Sequence, residues 1–148
     1  MRAVVQRVRR AGVEIEGQTV GGIGRGYMVL LGIEEADTEA DLAYICDKLL
    51  GLRVFEDEAG KMNRGILDIE GGILLISQFT LLGDARHGRR PSFIKAARPE
   101  VALPLYEAAI ARLRAQLPVA TGRFGADMQV SLVNDGPVTI LLDSKKTF

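Results

Sequence analysis

The 148-residue sequence predicts one α+β domain, residues 1–148, in which a mostly antiparallel sheet curls into a partial barrel and carries two helices. Three observations support this fold class. Apolar runs typical of strands fill the first 33 residues and recur later. Only two segments show the apolar periodicity of an amphipathic helix. No repeat, linker or low-complexity tract divides the chain, and small sheets of this kind often curl or pack as two layers.

The first third of the chain is rich in strand patterns. Residues 3–8 (AVVQRV) and 11–16 (AGVEIE) are interpreted as two strands, and residues 24–33 (GRGYMVLLGI) as a stronger third strand. The glycines of residues 21–26 (GGIGRG) lack the G-x-G-x-x-G spacing, and no helix signal follows them. They are therefore interpreted as turn glycines between strands rather than as a nucleotide-binding loop.

The two helices are predicted from their start signals and apolar faces. Thr38 begins the first helix, with Asp41 placed to complete a capping box. Cys46 falls on the apolar face of this helix and is interpreted as a small buried residue rather than a nucleophile. The second helix covers roughly residues 100–117, with Pro104 expected in its first turn, where the missing N–H has little cost.

The remaining segments predict a strand, a polar connection and a terminal hairpin. Residues 56–63 (EDEAGKMN) form a turn-rich connection, and residues 71–81 (GGILLISQFTL) form a second strong strand that ends in polar residues. A hairpin over residues 127–143 completes the chain. Its tip is expected at residues 134–139 (NDGPVT), because Asp-Gly favours a tight turn and a proline can open the strand that follows.

The composition excludes several classes of protein. Hydrophobic residues make up 47% and charged residues 26%, which are ordinary values for a soluble globular domain. No apolar run reaches the roughly 18 residues of a membrane span, and the opening MRAVVQRVRR lacks the apolar core of a secretory signal. A single cysteine excludes an intrachain disulfide and fits a reducing compartment. We therefore expect a cytoplasmic protein.

The charges cancel overall but not locally. Nineteen basic residues balance nineteen acidic ones, which argues against a general polyanion binder. Residues 84–98 (DARHGRRPSFIKAAR) nevertheless form a basic segment with one acid, and four arginines lie within the first ten residues. Two interpretations stay open for the basic segment: contacts with RNA phosphates, or a solvated surface loop. The candidate phosphate contacts are Arg86, Arg89, Arg90 and Lys95.

Conventional catalytic motifs are absent from the sequence. One cysteine and one histidine in separate segments cannot form a structural zinc site, and no P-loop or G-x-S-x-G motif occurs. No metal or cofactor is expected. His87 lies in a glycine- and arginine-rich loop, which favours a surface position or a phosphate contact over a general base. Residues 77–80 (SQFT) place two hydroxyls and an amide at a strand end, which alone is typical of a polar strand terminus.

The sequence resembles the D-aminoacyl-tRNA deacylases of the common bacterial and eukaryotic type. The resemblance runs nearly end to end, through the opening MRAVVQRV, then SQFTL, RRPSF, FGADMQV and NDGPVT in the family's order. SQFTL and NDGPVT match the two signatures of the family. Two signatures in the right order and spacing make the resemblance specific.

The resemblance implies an activity and an assembly. The activity is hydrolysis of the ester that joins a D-amino acid, or glycine, to the 3′ end of tRNA. The assembly is a homodimer in which the loop of Gly136 and Pro137, joined by a cis bond and braced by Arg7, enters the pocket of the partner subunit. The matching pocket wall, taken as the catalytic set, is Ser77, Gln78, Phe79 and Thr80. The positions that match the terminal-adenosine side are Ala102, Phe124 and Met128.

The residue types fit this chemistry, because an aminoacyl ester is already an activated acyl group. Its hydrolysis needs a hydrogen-bond donor to the oxyanion, a fixed orientation of the ester and a positioned water. Main-chain N–H groups near Phe79 and Thr80 can donate that hydrogen bond. The resemblance suggests that the substrate's 2′-hydroxyl activates water or moves the proton. The side chain of Thr80 is the competing candidate, as a nucleophile or as a hydroxyl that orients water.

Other functions are weighed beside the deacylase. A non-catalytic tRNA-binding module would use the basic segment without releasing an amino acid. A small-molecule esterase is disfavoured because no Ser-His-Asp arrangement is visible. A rigid wall that rejects L-amino acids would also admit glycine, which has no side chain to clash. Hydrolysis of glycyl-tRNA, including glycine misattached to alanine tRNA, is therefore predicted.

Overall fold

The computed structural model describes residues 1–148 as eight strands, two α-helices and one short 3₁₀ turn. No helix combines the length and apolar character that crossing a membrane would require. In chain order the elements are β1 (Arg2–Ile15), β2 (Gln18–Ile23), β3 (Gly26–Gly32), α1 (Glu39–Gly51), β4 (Arg53–Glu56), β5 (Met62–Gly65), β6 (Gly72–Ser77), the 3₁₀ turn (Phe79–Leu82), α2 (Pro99–Arg114), β7 (Val119–Thr121) and β8 (Gln129–Asp143).

Six strands form one curled sheet, and β4 and β5 form a separate antiparallel pair. β1 pairs antiparallel with β3 through its first half, with β2 through its second half and with β8 over nearly its whole length. The pairs β3–β6 and β6–β7 are parallel, because α1 and α2 lie in the connections that return the chain to the same edge. The predicted α+β class, with a mostly antiparallel partial barrel and two helices, is confirmed.

The two ends of the curled sheet approach each other at β2 and β7. A Cβ atom on Gly21 would lie 2.7 Å from the carbonyl oxygen of Thr121, so only glycine fits this contact. Gly21 and Gly22 lie within β2, so the predicted turn is wrong for these two glycines, whereas Gly24 lies in the connection between β2 and β3 as predicted. The role of Gly21 is close approach of two main chains rather than a change of direction.

The first helix begins where its capping box predicts. The Thr38 hydroxyl accepts a hydrogen bond from the Ala40 N–H, and the Asp41 carboxylate accepts one from the Thr38 N–H. Cys46 is buried on the apolar face of α1, and burial raises the pKa of its thiol to about 11. The interpretation of Cys46 as a small core residue is confirmed.

The strand β6 is buried on both faces, which explains its continuous apolar sequence. Ile73 and Leu75 belong to the larger core, which includes the apolar faces of both helices. Leu74 and Ile76 belong to a smaller core on the other face of the sheet, together with residues of β1 and β3. β6 is therefore fixed from both sides before it delivers its last residue, Ser77.

Several predicted boundaries differ from the structure. Residues 3–16 belong mainly to one strand, β1, rather than two. The strand predicted to reach residue 81 ends at Ser77, because the main chain turns at Gln78 into the 3₁₀ turn. The connection over residues 56–63 joins two short strands, β4 and β5, that were not predicted.

The second helix begins at Pro99, which occupies its first position. Pro104 therefore lies inside α2, and the prediction that it sits in the first turn was wrong. A proline at this point cannot donate to the carbonyl four residues earlier. Its ring is on the exposed side of the helix, where water can hydrate that carbonyl.

The predicted C-terminal hairpin is also wrong, because β8 is one strand that pairs with β1 on both sides of the NDGPVT stretch. Val8 pairs with Asn134 and Gln6 pairs with Thr139, so residues 135–138 bulge out opposite Arg7. We call residues 135–138 the Gly-Pro loop. Asp-Gly bends the chain as expected, but β1 is long enough to pair with both flanks, and the bend becomes a bulge rather than a tip.

Candidate functional site

A pocket of about 560 Å³ opens where the C-terminal end of β6 faces the start of α2 and the segment that enters β8. We call it the β6 pocket. Its wall is mostly apolar, with polar groups concentrated at the strand end. The structure brings six of the predicted site residues together in this wall: Ser77, Gln78, Phe79, Ala102, Phe124 and Met128.

The main chain at the end of β6 changes from strand to 3₁₀ turn within the pocket wall. The Gln78 N–H donates to the Leu31 carbonyl at 2.8 Å, which extends the pairing with β3 by one residue. The turn then begins at Phe79, followed by Thr80. As the first residues of the turn, these two have N–H groups without a partner inside it.

Thr80 is placed differently from the other three residues of SQFT. Its side chain is exposed and does not line the β6 pocket. The Thr80 hydroxyl accepts a hydrogen bond from the side-chain amide of Gln78. The main chain of Thr80 is therefore close to the pocket wall, while its hydroxyl is held by a neighbour.

The opposite wall of the β6 pocket is fixed by Tyr106 of α2. Its buried hydroxyl donates to the Leu75 carbonyl at 2.7 Å, and burial raises the pKa of this phenol to about 12. The Tyr106 and Phe124 rings have centroids 5.9 Å apart. Tyr106 thus links the helix, the end of β6 and the Phe124 side of the pocket.

The polar chemistry of the β6 pocket is limited to hydroxyl, amide and main-chain groups and one carboxylate. That carboxylate is Asp127, which sequence reasoning did not select although it lies inside the FGADMQV match. Ile33, Ala97 and Pro99 also line the pocket and carry no sequence signal of a site. His87 lies in the exposed basic segment and does not line the pocket.

The Gly-Pro loop lies away from the β6 pocket of the same chain. Gly136 and Pro137 are exposed, do not line that pocket and are joined by a cis peptide bond. The structure of one chain therefore does not bring Gly136, Pro137 and Arg7 together with the SQFT residues.

Arg7 joins the Gly-Pro loop to β4. Its buried guanidinium donates to the Asp135 carbonyl at 3.0 Å and to the Val54 carbonyl at 2.6 Å. It also donates to the Glu56 carboxylate at 3.0 Å, and this hydrogen bond lowers the pKa of Glu56. The guanidinium lies 6.0 Å from the centre of the Phe55 ring. One side chain thus satisfies acceptors from two separate elements.

The two ends of the Gly-Pro loop are joined through Gln6. The Gln6 side-chain oxygen accepts hydrogen bonds from the Asn134 amide at 2.9 Å and from the Thr139 hydroxyl at 2.5 Å. The Asn134 side-chain oxygen accepts from the Val138 N–H at 3.3 Å. Gly136 has φ +128°, and a Cβ there would lie 2.8 Å from the Val138 side chain, so this position requires glycine.

Comparison with known protein families shows which family the chain belongs to. A model of the D-Tyr-tRNA(Tyr) deacylase family matches residues 4–143, which include both signatures. The chain belongs to this deacylase family. The expected resemblance is confirmed, and membership makes the chain a hydrolytic enzyme that acts on D-aminoacyl-tRNA rather than a binding module.

Curated relatives of the family cover the whole chain. A D-aminoacyl-tRNA deacylase of Symbiobacterium thermophilum is 61% identical over 100% of this chain and 99% of its own length. The D-aminoacyl-tRNA deacylase of Thermosipho africanus is 57% identical over 100% of both chains. That of Thermus aquaticus is 58% identical over 99% of this chain and 97% of its own length.

Two solved structures share the fold. One, described as a c-Myc DNA unwinding element binding protein, has a TM-score of 0.91 and 45% identity and covers 97% of this chain and 98% of its own. The other is described as a probable eukaryotic D-amino acid tRNA deacylase, with a TM-score of 0.83, 19% identity and coverage of 96% and 98%. At this identity the second likeness shows the fold alone.

The basic segment of this deacylase is exposed and only partly neutralised. Arg86 pairs with Asp84 at 2.6 Å, and its hydrogen bond holds the pKa of that carboxyl well below the usual range. Arg89, Arg90 and Lys95 are exposed and make no ion pair. None of them lines the β6 pocket, so their contact with phosphate stays a prediction.

No group of three or more histidine, cysteine, aspartate or glutamate side chains is arranged to hold a metal ion. The β6 pocket combines an apolar wall with hydroxyl, amide and main-chain donors instead. Such a site can bind an apolar ring or side chain, orient an ester and donate hydrogen bonds to an oxygen that becomes negative.

Proposed function

We propose that this deacylase hydrolyses the ester of D-aminoacyl-tRNA in the β6 pocket and releases tRNA and the D-amino acid as a chiral proofreading step in translation. The observation that carries the proposal is the meeting of Ser77, Gln78 and Phe79 with Ala102, Phe124 and Met128 in one pocket. The first three bind the reacting ester. The last three hold the terminal adenosine on the other side.

The reaction needs little from side chains. Water attacks the ester carbonyl, and the N–H groups of Phe79 and Thr80 stabilise the oxyanion. The bond from the carbonyl carbon to the ribose 3′-oxygen then breaks, and that oxygen takes up a proton. The substrate's 2′-hydroxyl helps to activate the water and moves the proton, since the only ionisable side chain in the pocket wall is the exposed Asp127.

Rejection of L-amino acids is assigned to the Gly-Pro loop of a second copy. In the proposed homodimer, Gly136 and Pro137 of one subunit enter the β6 pocket of the other. Two features support this: the loop tip is exposed and does not line its own pocket, and the loop is held by a hydrogen bond that Arg7 donates to Asp135 and one that the Val138 N–H donates to Asn134. A rigid wall clashes with any L side chain, but it admits glycine, including glycine misattached to alanine tRNA.

The activity is tested with four substrates: D-tyrosyl-tRNA, L-tyrosyl-tRNA, glycyl-tRNA on alanine tRNA and a simple tyrosine ester. Release of the amino acid is expected from the D-tyrosyl and glycyl substrates only. Tight tRNA binding without release of the amino acid would support the non-catalytic tRNA-binding module instead. Cleavage of the simple ester at a comparable rate would point to a general esterase. A fully resistant glycyl ester would overturn the wall as the basis of selectivity.

The proton path is tested by comparing Thr80→Ala with a substrate that ends in 2′-deoxyadenosine. The proposal expects the deoxy substrate to be cleaved slowly and Thr80→Ala to retain most of its activity, because the Thr80 hydroxyl is exposed and bonded to Gln78. If Thr80→Ala abolishes turnover while the deoxy substrate is cleaved normally, the assignment to the 2′-hydroxyl is wrong.

The tRNA is expected to be held through its phosphates, without sequence reading, by the unpaired cations Arg89, Arg90 and Lys95. Binding should weaken as salt rises. Replacing Arg89 and Arg90 by glutamine should reduce the slope of log K against log salt by about one for each phosphate that is no longer neutralised. An unchanged slope would make the basic segment a solvated loop.

A further inference from the structure

Two exposed rings, those of Phe79 and Phe93, meet at the β6 pocket, and the exposed Ile94 follows Phe93 directly in the sequence. Phe79 is 55% exposed, Phe93 is 38% exposed and Ile94 is 91% exposed. The two rings meet edge to face, with centroids 5.2 Å apart. We call these three side chains the apolar platform. It is continuous with the pocket, because Phe79 also lines the pocket wall.

The apolar platform is held in a defined position rather than carried on an unanchored loop. Asp84 and Ser92 exchange two main-chain hydrogen bonds of 2.8 and 2.9 Å, which close the loop between them. The Ala97 N–H donates to the carbonyl of Ile33 at 2.8 Å. The Phe93 ring packs so closely over Gly83 that a Cβ there would lie 2.9 Å from it. The exposed surface is therefore preorganised.

Positively charged side chains without an ion-pair partner lie close to Phe93 and Ile94 in the sequence. Arg89, Arg90, Lys95 and Arg98 belong to the same segment as Phe93, are exposed and make no ion pair. Rings or apolar side chains beside such cations are typical of sites for single-stranded nucleic acid, where bases stack and phosphates are held electrostatically.

A second cavity, of about 450 Å³, is lined by residues 82–86 and by Arg2, Lys95 and Thr147. Arg2, Arg86 and Lys95 line it, with Asp84 as its one carboxylate. The Nε of Arg2 is buried and is the one buried side-chain polar atom without a hydrogen-bond partner. Because Asp84 is already paired with Arg86, the positive charge of this cavity comes from Arg2 and Lys95, which make no ion pair and fit an anion such as a phosphate.

We propose that the apolar platform stacks an unpaired base of the RNA substrate next to the terminal nucleotide, while the cations hold the phosphates that follow. This inference rests on the proposed function, in which the terminal nucleotide occupies the β6 pocket. The alternative occupant is a second copy of the chain. The proposed homodimer already brings the partner's Gly-Pro loop to the neighbouring β6 pocket, but the exposed cations without an ion pair that accompany the platform favour RNA phosphates over that partner as its occupant.

The experiment compares two substrates that differ only beyond the terminal nucleotide: D-tyrosyl-tRNA and D-tyrosyl-adenosine. Loss of one stacked base corresponds to a roughly 5- to 150-fold effect. Phe93→Ala should lower kcat/KM for the tRNA ester within that range and leave the adenosine ester unchanged. Ile94→Ala should act in the same direction, with a smaller effect. Met62→Ala, which removes a 51% exposed side chain from β5, should change neither.

Three results would overturn the inference. Equal losses on both substrates would show that Phe93 only shapes the pocket. Unchanged kcat/KM for the tRNA ester would show that no base stacks there. A change in oligomeric mass by light scattering would show that the platform is a contact between copies. If the wild-type protein cleaves neither ester, the proposed function fails by itself. The platform is then tested by itself, through binding of a fluorescent unpaired oligoribonucleotide. Weaker binding to Phe93→Ala supports base stacking on the platform, and unchanged binding refutes it.

Discussion

Replacing Arg7 by methionine should release the Gly-Pro loop from the body of the protein. The substitution keeps an apolar stem of similar length but removes every hydrogen bond of the guanidinium. Three groups lose their donor: the Asp135 carbonyl, the Val54 carbonyl and the Glu56 carboxylate. The Arg7 side chain is only 5% exposed, so water does not simply take its place.

The expected cost follows from how buried each acceptor is. A buried acceptor left without a partner costs about 1–3 kcal/mol, and two main-chain carbonyls are affected. The Glu56 side chain is 42% exposed and regains water, so its ion pair adds little. The free energy of unfolding should fall by about 3 kcal/mol. For a chain of this size that lowers the melting temperature by roughly 6–12 °C.

Urea unfolding followed by circular dichroism measures this loss, since the chain has no tryptophan to report by fluorescence. Arg9→Met is the matched control. The Asp135 carboxylate lies 3.6 Å from Arg7 and 3.5 Å from Arg9, but the Arg9 side chain is 74% exposed. Its removal should cost less than about 1 kcal/mol, because exposed ion pairs contribute little.

Hydrogen exchange places the effect in the loop. The Val138 N–H lies in the Gly-Pro loop and donates to the Asn134 side chain just before it. This amide should lose protection from hydrogen exchange in Arg7→Met but not in Arg9→Met. Equal unfolding free energies for the two variants would refute the reasoning. A stable Arg7→Met protein with an unchanged Val138 amide would do the same.

Three further substitutions probe other contacts. Gly136→Ala forces a side chain into φ +128° and should cost about 1–3 kcal/mol and change the D/L hydrolysis ratio, whereas Gly60→Ala, at φ +75° in open space, should cost stability without changing the ratio. Tyr106→Phe leaves a carbonyl of β6 without its donor and should cost about 1–2 kcal/mol in urea unfolding; a neutral result would contradict the assigned hydrogen bond. Although burial alone would raise the pKa of Asp41, hydrogen bonds led by that of Lys145 lower it well below 3.8. A depressed carboxyl pKa stabilises the fold above about pH 4 and loses that effect as pH falls, so Lys145→Met should move acid unfolding to higher pH, and an unmoved midpoint would count against the pair.

Local signals predicted the parts of the fold that depend on neighbours in sequence. Thr38 and Asp41 lie three residues apart and form the capping box themselves, so the helix start was correct. The strand β6 was found because burial on both faces leaves a continuous apolar run. Pro104 was misplaced because the residue that begins α2 is another proline, Pro99, only five positions earlier.

The errors concern contacts between distant parts of the chain. Asp-Gly favours the same local bend in a hairpin tip and in a bulge, and the choice between them depends on β1, about 128 residues away. Ser77, Gln78 and Phe79 were selected through a resemblance of signatures, and the structure places them in one pocket with Ala102. Ala97 and Asp127 were missed, because they line the pocket only through the way α2 and β8 approach β6.

Because the Gly-Pro loop is a bulge in β8, its length can change without changing the register of the strands beside it. In a hairpin the two flanking strands set each other's register, and a changed tip can shift one strand by a residue and exchange its inner and outer faces. Here both flanks are aligned independently by β1, which remains in place whatever lies between residues 134 and 139. Insertions or deletions in this stretch can therefore reshape the proposed selectivity element without exchanging the buried and exposed faces on either side.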